Sequence, residues 1–494
     1  MPKKKSYITA TDQFCGAGGS SLGAKNANPE LEISLALNHW DLAIETHNTN
    51  FPNTIHDCTD VSACDPRRYP STDILITSPE CTNHSLANGK KKSNLDQEEL
   101  FEAYKNGKLD PAAERSRATM WDVPRFAEFH NYNLVIVENV VDARRWILWK
   151  PWLLAMHALG YLHECVYMNS MFCHPTPQSR DRMYVVFWKK GNPKPDLNLR
   201  PKAWCPICEK DIEAVQSWKN PNKKWGKYKT QYVYCCPKCA SQVTPYYYAA
   251  FNAIDWSIPG TRIGDRKKPL VPKTLARIQY GIDKHWIDEP SPFLIKTDHT
   301  HAKNGMSRRI DEPAFTQTTK HNMGVLMPLI TTTRGKSKAH RSTDPLTTQS
   351  SNINHGLVMP FLIEMNRTGK ARSTNQPMST ILAGGNHHGL VSTEVMNSFL
   401  SYYYGGSNIS SGISDPTGTI STKDRIALVQ QGDSLKIEDC YYRTIKPHEV
   451  QRGMAFPDEY VVLGNGRQKV KQCGNAVTPP AMEWLIGQGL ETFK

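Results

Sequence analysis

The sequence predicts an α/β fold, a largely parallel sheet flanked by helices and interrupted by a β-rich insert. Three features predict it: short apolar runs alternating with helical stretches in the first third of the chain, a glycine-rich turn directly after the first run, and tandem units of similar sequence beyond Ser291. Tyr7-Ile-Thr-Ala-Thr11 reads as the first strand, and Cys15-Gly-Ala-Gly-Gly-Ser-Ser-Leu-Gly23 as a tight turn opening a helix. Leu31–Asn38, Asp73–Ser78 and Asn133–Glu138 read as further strands, the last after a helical stretch from Arg125 to His130. Runs this apolar fit strands buried on both faces, as in parallel sheets covered by helices. Ligands bind beyond the carboxyl ends of such strands, and three of these four ends carry polar, chemically capable residues.

The 494 residues leave room for about three domains at ~150 residues each. Lys and Arg outnumber Asp and Glu by 60 to 47, a net charge of +13, so an acidic partner such as nucleic acid is the first candidate. With 39% hydrophobic and 9% aromatic residues the chain is neither disordered nor fibrous. Its most apolar stretch, Trp146 to Leu162, is broken by Lys150, Pro151 and His157, so no membrane span is expected. Met1-Pro-Lys-Lys-Lys-Ser6 has no apolar segment behind it, and no secretory signal is expected. Thirteen scattered cysteines suit a reducing interior, which points to an intracellular protein.

Several motifs carry chemistry. Phe14-x-Gly16-x-Gly18-Gly19 follows a strand and lets the backbone pass close to a ligand, or serves as a plain structural turn. Its spacing differs from the Gly-x-x-x-x-Gly-Lys phosphate loop, so nucleotide triphosphate binding is not expected. Cys81 lies just past a strand end in the polar loop Ser78-Pro-Glu-Cys-Thr-Asn-His-Ser85, where a thiol can be exposed and ionisable, a candidate nucleophile. Glu138-Asn139 ends the next strand, as an acid of raised pKa or as a merely polar strand end. Trp204-Cys205-Pro-Ile-Cys208 and Cys236-Pro-Lys-Cys239, with 27 residues between them, offer four thiolates for a structural zinc. Cys235 beside Cys236 leaves the register of the second knuckle open. Between the knuckles, Trp218-Lys-Asn-Pro-Asn-Lys-Lys-Trp-Gly-Lys-Tyr-Lys229 interleaves cations with aromatics, either a grip on a phosphate backbone or a solvated basic loop.

Pro292-Phe-Leu-Ile, Pro328-Leu-Ile-Thr and Pro360-Phe-Leu-Ile open successive units of about 35 residues, and a diverged fourth begins near Phe399. Each reads as a pair of strands, and stacking them would bury a continuous face. Basic residues including Lys303, Arg308, Arg309, Arg334, Arg341 and Arg372 are expected in the connecting loops, suited to phosphates or guanine edges.

Six blocks stand in order along the chain: Phe14 to Gly23, Asp73 to Cys81, Glu138-Asn139-Val140, Pro177-Gln-Ser-Arg180-Asp-Arg182, Arg443 to Asp458, and Gln472-Cys-Gly-Asn475-Ala-Val-Thr-Pro479. In type and order they resemble the DNA cytosine-5 methyltransferases. The resemblance implies a Rossmann-like S-adenosylmethionine-dependent methyltransferase domain over residues 1–195, completed by 440–494. A zinc-ribbon-like insert at 200–245 and a β-rich repeat target-recognition domain at 290–435 would lie between the two parts. Cys81 would be the nucleophile that adds to carbon 6 of cytosine, Glu138 would hold ring nitrogen N3, and Arg180 and Arg182, two apart on one strand face, would hold the base carbonyl. The resemblance also implies S-adenosylmethionine as cofactor, held by Phe14, Gly16, Gly18, Gly19, His39, Asp57, Asn475 and Val477, and Cys205, Cys208, Cys236 and Cys239 remain the zinc ligands expected from their spacing. Double-stranded DNA is the implied partner, its target base flipped out of the stack. A monomer is expected, in the cytoplasm or nucleoid of a bacterial or phage-infected cell. Two departures stand out: Glu80 precedes Cys81 where the family has proline, and Asn38-His39-Trp40-Asp41 lacks the family's carboxylate directly after the asparagine. A non-catalytic DNA-binding protein and a tRNA cytosine-5 methyltransferase are the alternatives from other classes.

Overall fold

The computed structural model describes residues 7–79, 119–253 and 446–493, short stretches between 255 and 275, and the backbone of isolated strands and short stretches between 293 and 444. Strands β1 (Thr9–Gln13), β2 (Glu32–Asn38), β3 (Ile55–Cys58), β4 (Ile74–Thr77), β5 (Leu134–Asn139), β6 (Tyr161–Asn169) and β7 (Asp181–Lys189) form one seven-stranded sheet in the order β3-β2-β1-β4-β5-β7-β6. β1 to β5 are parallel, and β7 runs antiparallel between β5 and β6. The four strands expected from sequence are present within two residues of their expected limits.

The alternation of side chains in each strand feeds two apolar layers. On one face Leu75, Val135, Val137 and Val185 meet Val123 and Phe126 of α3 (Asp122–His130) and Trp149, Trp152 and Met156 of α4 (Trp149–Ala158). On the other, Ile74, Ile76, Leu134, Ile136 and Val186 meet Ala24 of α1 (Gly19–Ala27) and Met482, Leu485 and Ile486 of α7 (Pro479–Leu490). Helix α2 (Asp41–Asn50) follows β2, while α5 (Pro447–Gly453) and α6 (Gly466–Asn475) precede α7. α6 starts with a reciprocal Asn465/Gln468 capping box, and α7 with Pro479-Pro480, whose rings suit the first turn of a helix.

A small β unit follows β7: β8 (Lys202–Cys205) pairs with β9 (Lys210–Glu213), and β10 (Val215–Trp218), β11 (Tyr232–Cys235) and β12 (Gln242–Val243) form a second antiparallel sheet. Its Tyr228, Tyr232, Tyr234 and Val243 join the same apolar cluster as the α3 face. Between 293 and 429 every described stretch is strand. Segment 329–332 pairs with 340–341 and 355–358, 361–364 with 388–392, and 399–404 with 407–412 and 426–429. Arg308, Arg309, Arg341 and Arg372, expected in loops, instead lie within the strands 307–309, 340–341 and 369–373; Lys303 and Arg334 lie outside the described residues.

Helix α7 lies against α1 so closely that a Cβ at Gly23 would fall on the Pro479 carbonyl and within 2.8 Å of the Met482 Cβ. An open helical glycine gains about 0.5–1 kcal/mol when changed to alanine. Here backbone is in the way, so Gly23→Ala is expected to lose ~1–3 kcal/mol instead. Urea unfolding checks the sign; an unchanged or higher midpoint would refute the contact.

Candidate active site

The order of the sheet reverses between β1 and β4, because β1 leads outward to β2 and β3 while β4 continues to β5 on its other side. That reversal opens a crevice at the carboxyl ends of the two strands. Gln13 and Thr77 lie side by side there, and the Ser78 amide donates to the Gln13 carbonyl at 3.3 Å. The glycine turn therefore leaves one side of the crevice, and the segment running into Cys81 leaves the other. Cys81 itself lies outside the described residues, as does Glu80.

Phe14 and Gly16 both have positive φ, 58° and 52°, and both are partly exposed at the mouth. A non-glycine residue in this region is sparsely populated, and strain of this kind gathers at functional turns. A Cβ on Gly16 would meet nothing nearer than the Phe14 carbonyl at 3.8 Å, so this glycine borders open space, as a close-lying ligand requires. Gly18 and Gly19 do something different. A Cβ on Gly18 would fall on the Tyr460 hydroxyl, and one on Gly19 on the Val477 carbonyl. These two glycines make room for the C-terminal segment, and the Tyr460 hydroxyl donates to the Ala17 carbonyl at 2.6 Å. His39 is exposed at the end of β2. Asp57, at the end of β3, accepts from the Tyr69 hydroxyl at 2.6 Å. Asn475 ends α6 in an exposed position, and Val477 is buried against the turn. The open glycine, the partly exposed phenylalanine and the strand-end carboxylate together offer the close backbone approach, apolar surface and acceptor that fit a nucleoside such as S-adenosylmethionine.

On the other wall, Glu138, next to last in β5, pairs with Arg182 of β7, Nε to Oε1 2.8 Å, both side chains about a tenth exposed. Neighbouring Asn139 donates from Nδ2 to the Pro79 carbonyl at 3.4 Å, which ties the end of β5 to the segment entering Cys81. The expectation that Arg180 and Arg182 share one strand face is corrected. β7 begins at Asp181, and Arg180, 3% exposed, directs its two terminal nitrogens to the carbonyls of Gly474 and Ala476 at 3.1 Å each. Two residues apart becomes one face only inside a strand.

Sequence reasoning missed a buried polar chain beneath the turn. Ser21 Oγ donates to Asp12 at 2.7 Å, stands 2.9 Å from His47 Nε2, and His47 Nδ1 lies 2.8 Å from His56. Burial raises the Asp12 carboxyl to about 7, partly offset by the Ser21 hydrogen bonds, and burial lowers His47 to about 3, helped by His56. Burial also pushes the Cys15 thiol up, with Asp12 adding to it.

The sulfurs of Cys205, Cys208, Cys236 and Cys239 all lie within 4.8 Å of one another, with Cys205–Cys239 at 3.5 Å and Cys208–Cys236 at 3.8 Å. A tetrahedral ion about 2.3 Å from each sulfur needs sulfur–sulfur edges of roughly 3.8 Å, so the set fits zinc. Cys236 takes part, and Cys235 stays in the β11 ladder, which settles the register. The Ser241 hydroxyl, 3.4 Å from Cys205 and 3.0 Å from Cys239, holds both thiols below their ordinary range, whereas hydrogen bonding to Cys239 pushes Cys208 up.

Two outcomes are expected here. Arg182→Ala leaves a buried carboxylate unpaired and costs ~3–5 kcal/mol, while Glu138→Ala with Arg182→Ala costs less than the sum. A double-mutant cycle that adds without coupling would deny the pair. For Asp12, the folded protein keeps a proton to about 7 that the unfolded chain releases near 3.8. Its contribution is complete below 3.8 and lost as pH rises through 7. Denaturation of Asp12→Asn against the parent should therefore show the variant gaining relative stability across that window; a constant difference would contradict the buried proton.

The chain matches the family described as C-5 cytosine-specific DNA methylase over residues 8–242 and 293–490. It is 28% identical over 185 residues to the type II methyltransferase M.HgiDI of Herpetosiphon aurantiacus, a match spanning 37% of this chain and 52% of that protein. It is 32% identical over 102 residues to M.HindV of Haemophilus influenzae, spanning 20% of this chain and 33% of that one. The chain thus spans about half, and about a third, of the length of these two relatives. Among solved structures, the Entamoeba histolytica methyltransferase EhMeth aligns at TM-score 0.47 and 11% identity, covering 99% of this chain and 100% of the other. The S. pombe Dnmt2 methyltransferase aligns at 0.45 and 13%, with the same coverage.

Proposed function

This chain belongs to the C-5 cytosine-specific DNA methylase family, whose methyl donor is S-adenosylmethionine, and on that premise we propose that it methylates carbon 5 of a cytosine flipped out of duplex DNA, through a covalent adduct with Cys81. The Glu138–Arg182 pair, 2.8 Å apart at the end of β5, carries the proposal, because β5 neighbours the strand that runs into Cys81. Carbon 5 of cytosine is a weak nucleophile. A thiolate adding to carbon 6 turns the ring into an enamine, and carbon 5 can then attack. Glu138 holds a proton at ring nitrogen N3 as that addition proceeds. Arg182 orients the Glu138 carboxyl and donates to the base carbonyl, where negative charge develops. Asn139 fixes the Pro79 backbone and so the approach of the nucleophile. Arg180 braces the C-terminal segment against the catalytic sheet. S-adenosylmethionine, when bound, supplies an electrophilic methyl group on sulfur. Phe14, Gly16, Gly18, Gly19, His39, Asp57, Asn475 and Val477 form its site, with Gly18 and Gly19 acting through the closure of the C-terminal segment. A base then takes the carbon-5 proton, the carbon 5–carbon 6 double bond re-forms, and the carbon 6–sulfur bond breaks to return Cys81 as the thiolate.

A base inside a duplex is out of reach of a thiolate, so extrusion is part of the same proposal. The strands between 293 and 429 are the target-recognition region, and the four cysteines hold a structural zinc. The protein works as a monomer on the DNA of the cell that makes it, and no helix among the described residues is long and apolar enough to cross a membrane.

Transfer of tritiated methyl from S-adenosylmethionine to DNA tests the activity. Cys81→Ser is expected to lower it by about 1,000-fold or more while duplex binding persists. Full activity in the serine variant would remove Cys81 from the mechanism. Metal analysis of the purified protein should find one zinc per chain, and Cys236→Ser should lose it. A folded, zinc-free parent would reject that part.

A further inference from the structure

Resting on the methyltransferase assignment, we propose that the loop between β10 and β11, residues 219–231, is a second contact for the DNA phosphodiester backbone, built into the wall of the active site by the cysteine-bearing unit. From Ala214 to Cys235 the sequence has five lysines and no carboxylate. Lys219, Lys223 and Lys224 are exposed at the tip. Trp225 is half-buried there, with the Arg145 guanidinium 5.4 Å and the Lys223 ammonium 4.8 Å from its ring.

The root of the loop is tied to the catalytic wall. Lys227 Nζ reaches Asp142 at 2.8 Å, four residues beyond Glu138. The Tyr228 amide donates to Asp181 at 2.9 Å, next to Arg182, and Gln216 donates to the Tyr167 carbonyl at 2.8 Å. Phe172 seats edge-on against Tyr228 and Tyr234, with ring centroids 4.9 and 5.1 Å away. A solvated basic loop would have no reason to be anchored beside the base-handling pair. Anchored there, its net positive charge sits close in the fold to the Glu138–Arg182 pair, where the phosphates flanking a flipped cytosine would be within its reach. The contact reads charge and carries no sequence preference.

The test is the salt dependence of duplex binding by the full-length zinc-loaded protein with Lys219, Lys223 and Lys224 changed to Gln. Removing one lysine–phosphate contact takes about 0.9 from the slope of log K against log salt. The triple variant should flatten the slope by roughly 2–3, equally for a methylatable duplex and a scrambled one, with KM for DNA raised and kcat kept. Lys224→Gln alone, at an exposed position, should flatten it by about 0.9 and guards against misfolding of the triple variant. A wild-type slope in both variants overturns the proposal, as does a change seen with an RNA hairpin and not with duplex DNA. A parent protein that transfers methyl to DNA while both variants match its slope would sink the loop contact alone, whereas a parent that neither binds nor methylates DNA would sink the methyltransferase assignment beneath it.

Discussion

The catalytic unit depends on a backbone contact between two stretches far apart in sequence: the glycine turn after β1 and the segment from Gly474 to Val477. Neither can give way, because peptide atoms stand where side chains would be, at Gly19 against Val477 and at Gly23 against Pro479. Arg180 sustains the contact from below, donating to the Gly474 and Ala476 carbonyls, which end a helix and have no intrahelical partners there. Tyr460 sustains it from the side through the Ala17 carbonyl. The crevice between β1 and β4 has its shape because these four points agree.

Much of the frame was legible in the sequence, for a physical reason. Strands buried on both faces are mostly apolar, so β2, β4 and β5 announce themselves, while β1, Thr-Ala-Thr-Asp-Gln, is marked by the turn after it, which has glycine at two of its three positive-φ positions. Spacing also foretold the thiol cluster, since ligands of one tetrahedral ion must sit on short knuckles. What stayed hidden depends on partners distant in sequence. The glycines at 18 and 19 read as room for a ligand, and they are room for the C-terminal segment. Arg180 and Arg182 read as a pair because they are two apart, yet only one of them lies within the strand. Asp12, a single acid in β1, gave no sign that Ser21 and His47 would meet it beneath the turn.

The cysteine-bearing unit shows how an insertion becomes part of a site. It shares an apolar cluster with the catalytic sheet, through Tyr167 and Phe172 on one side and Tyr232 and Tyr234 on the other. Its polar ties converge on Asp142 and Asp181, which lie near the Glu138–Arg182 pair in the chain. A metal holding the knuckles would thus act at a distance, by stiffening the unit that supports Asp181.

The contact between Gly19 and Val477 also sets an order of events during synthesis. The face of the sheet toward α3 and α4 can pack from residues before 245, but the opposite face and the glycine turn stay uncovered until Val477 and α7 emerge. Contacts this remote form late, because closing so long a loop must precede any gain from it. A nascent or truncated chain would carry the sheet without the closure, and its crevice would remain open on one side. Emergence of residues 474–490 thereby completes the pocket only in a chain that has already made the strands between 293 and 429.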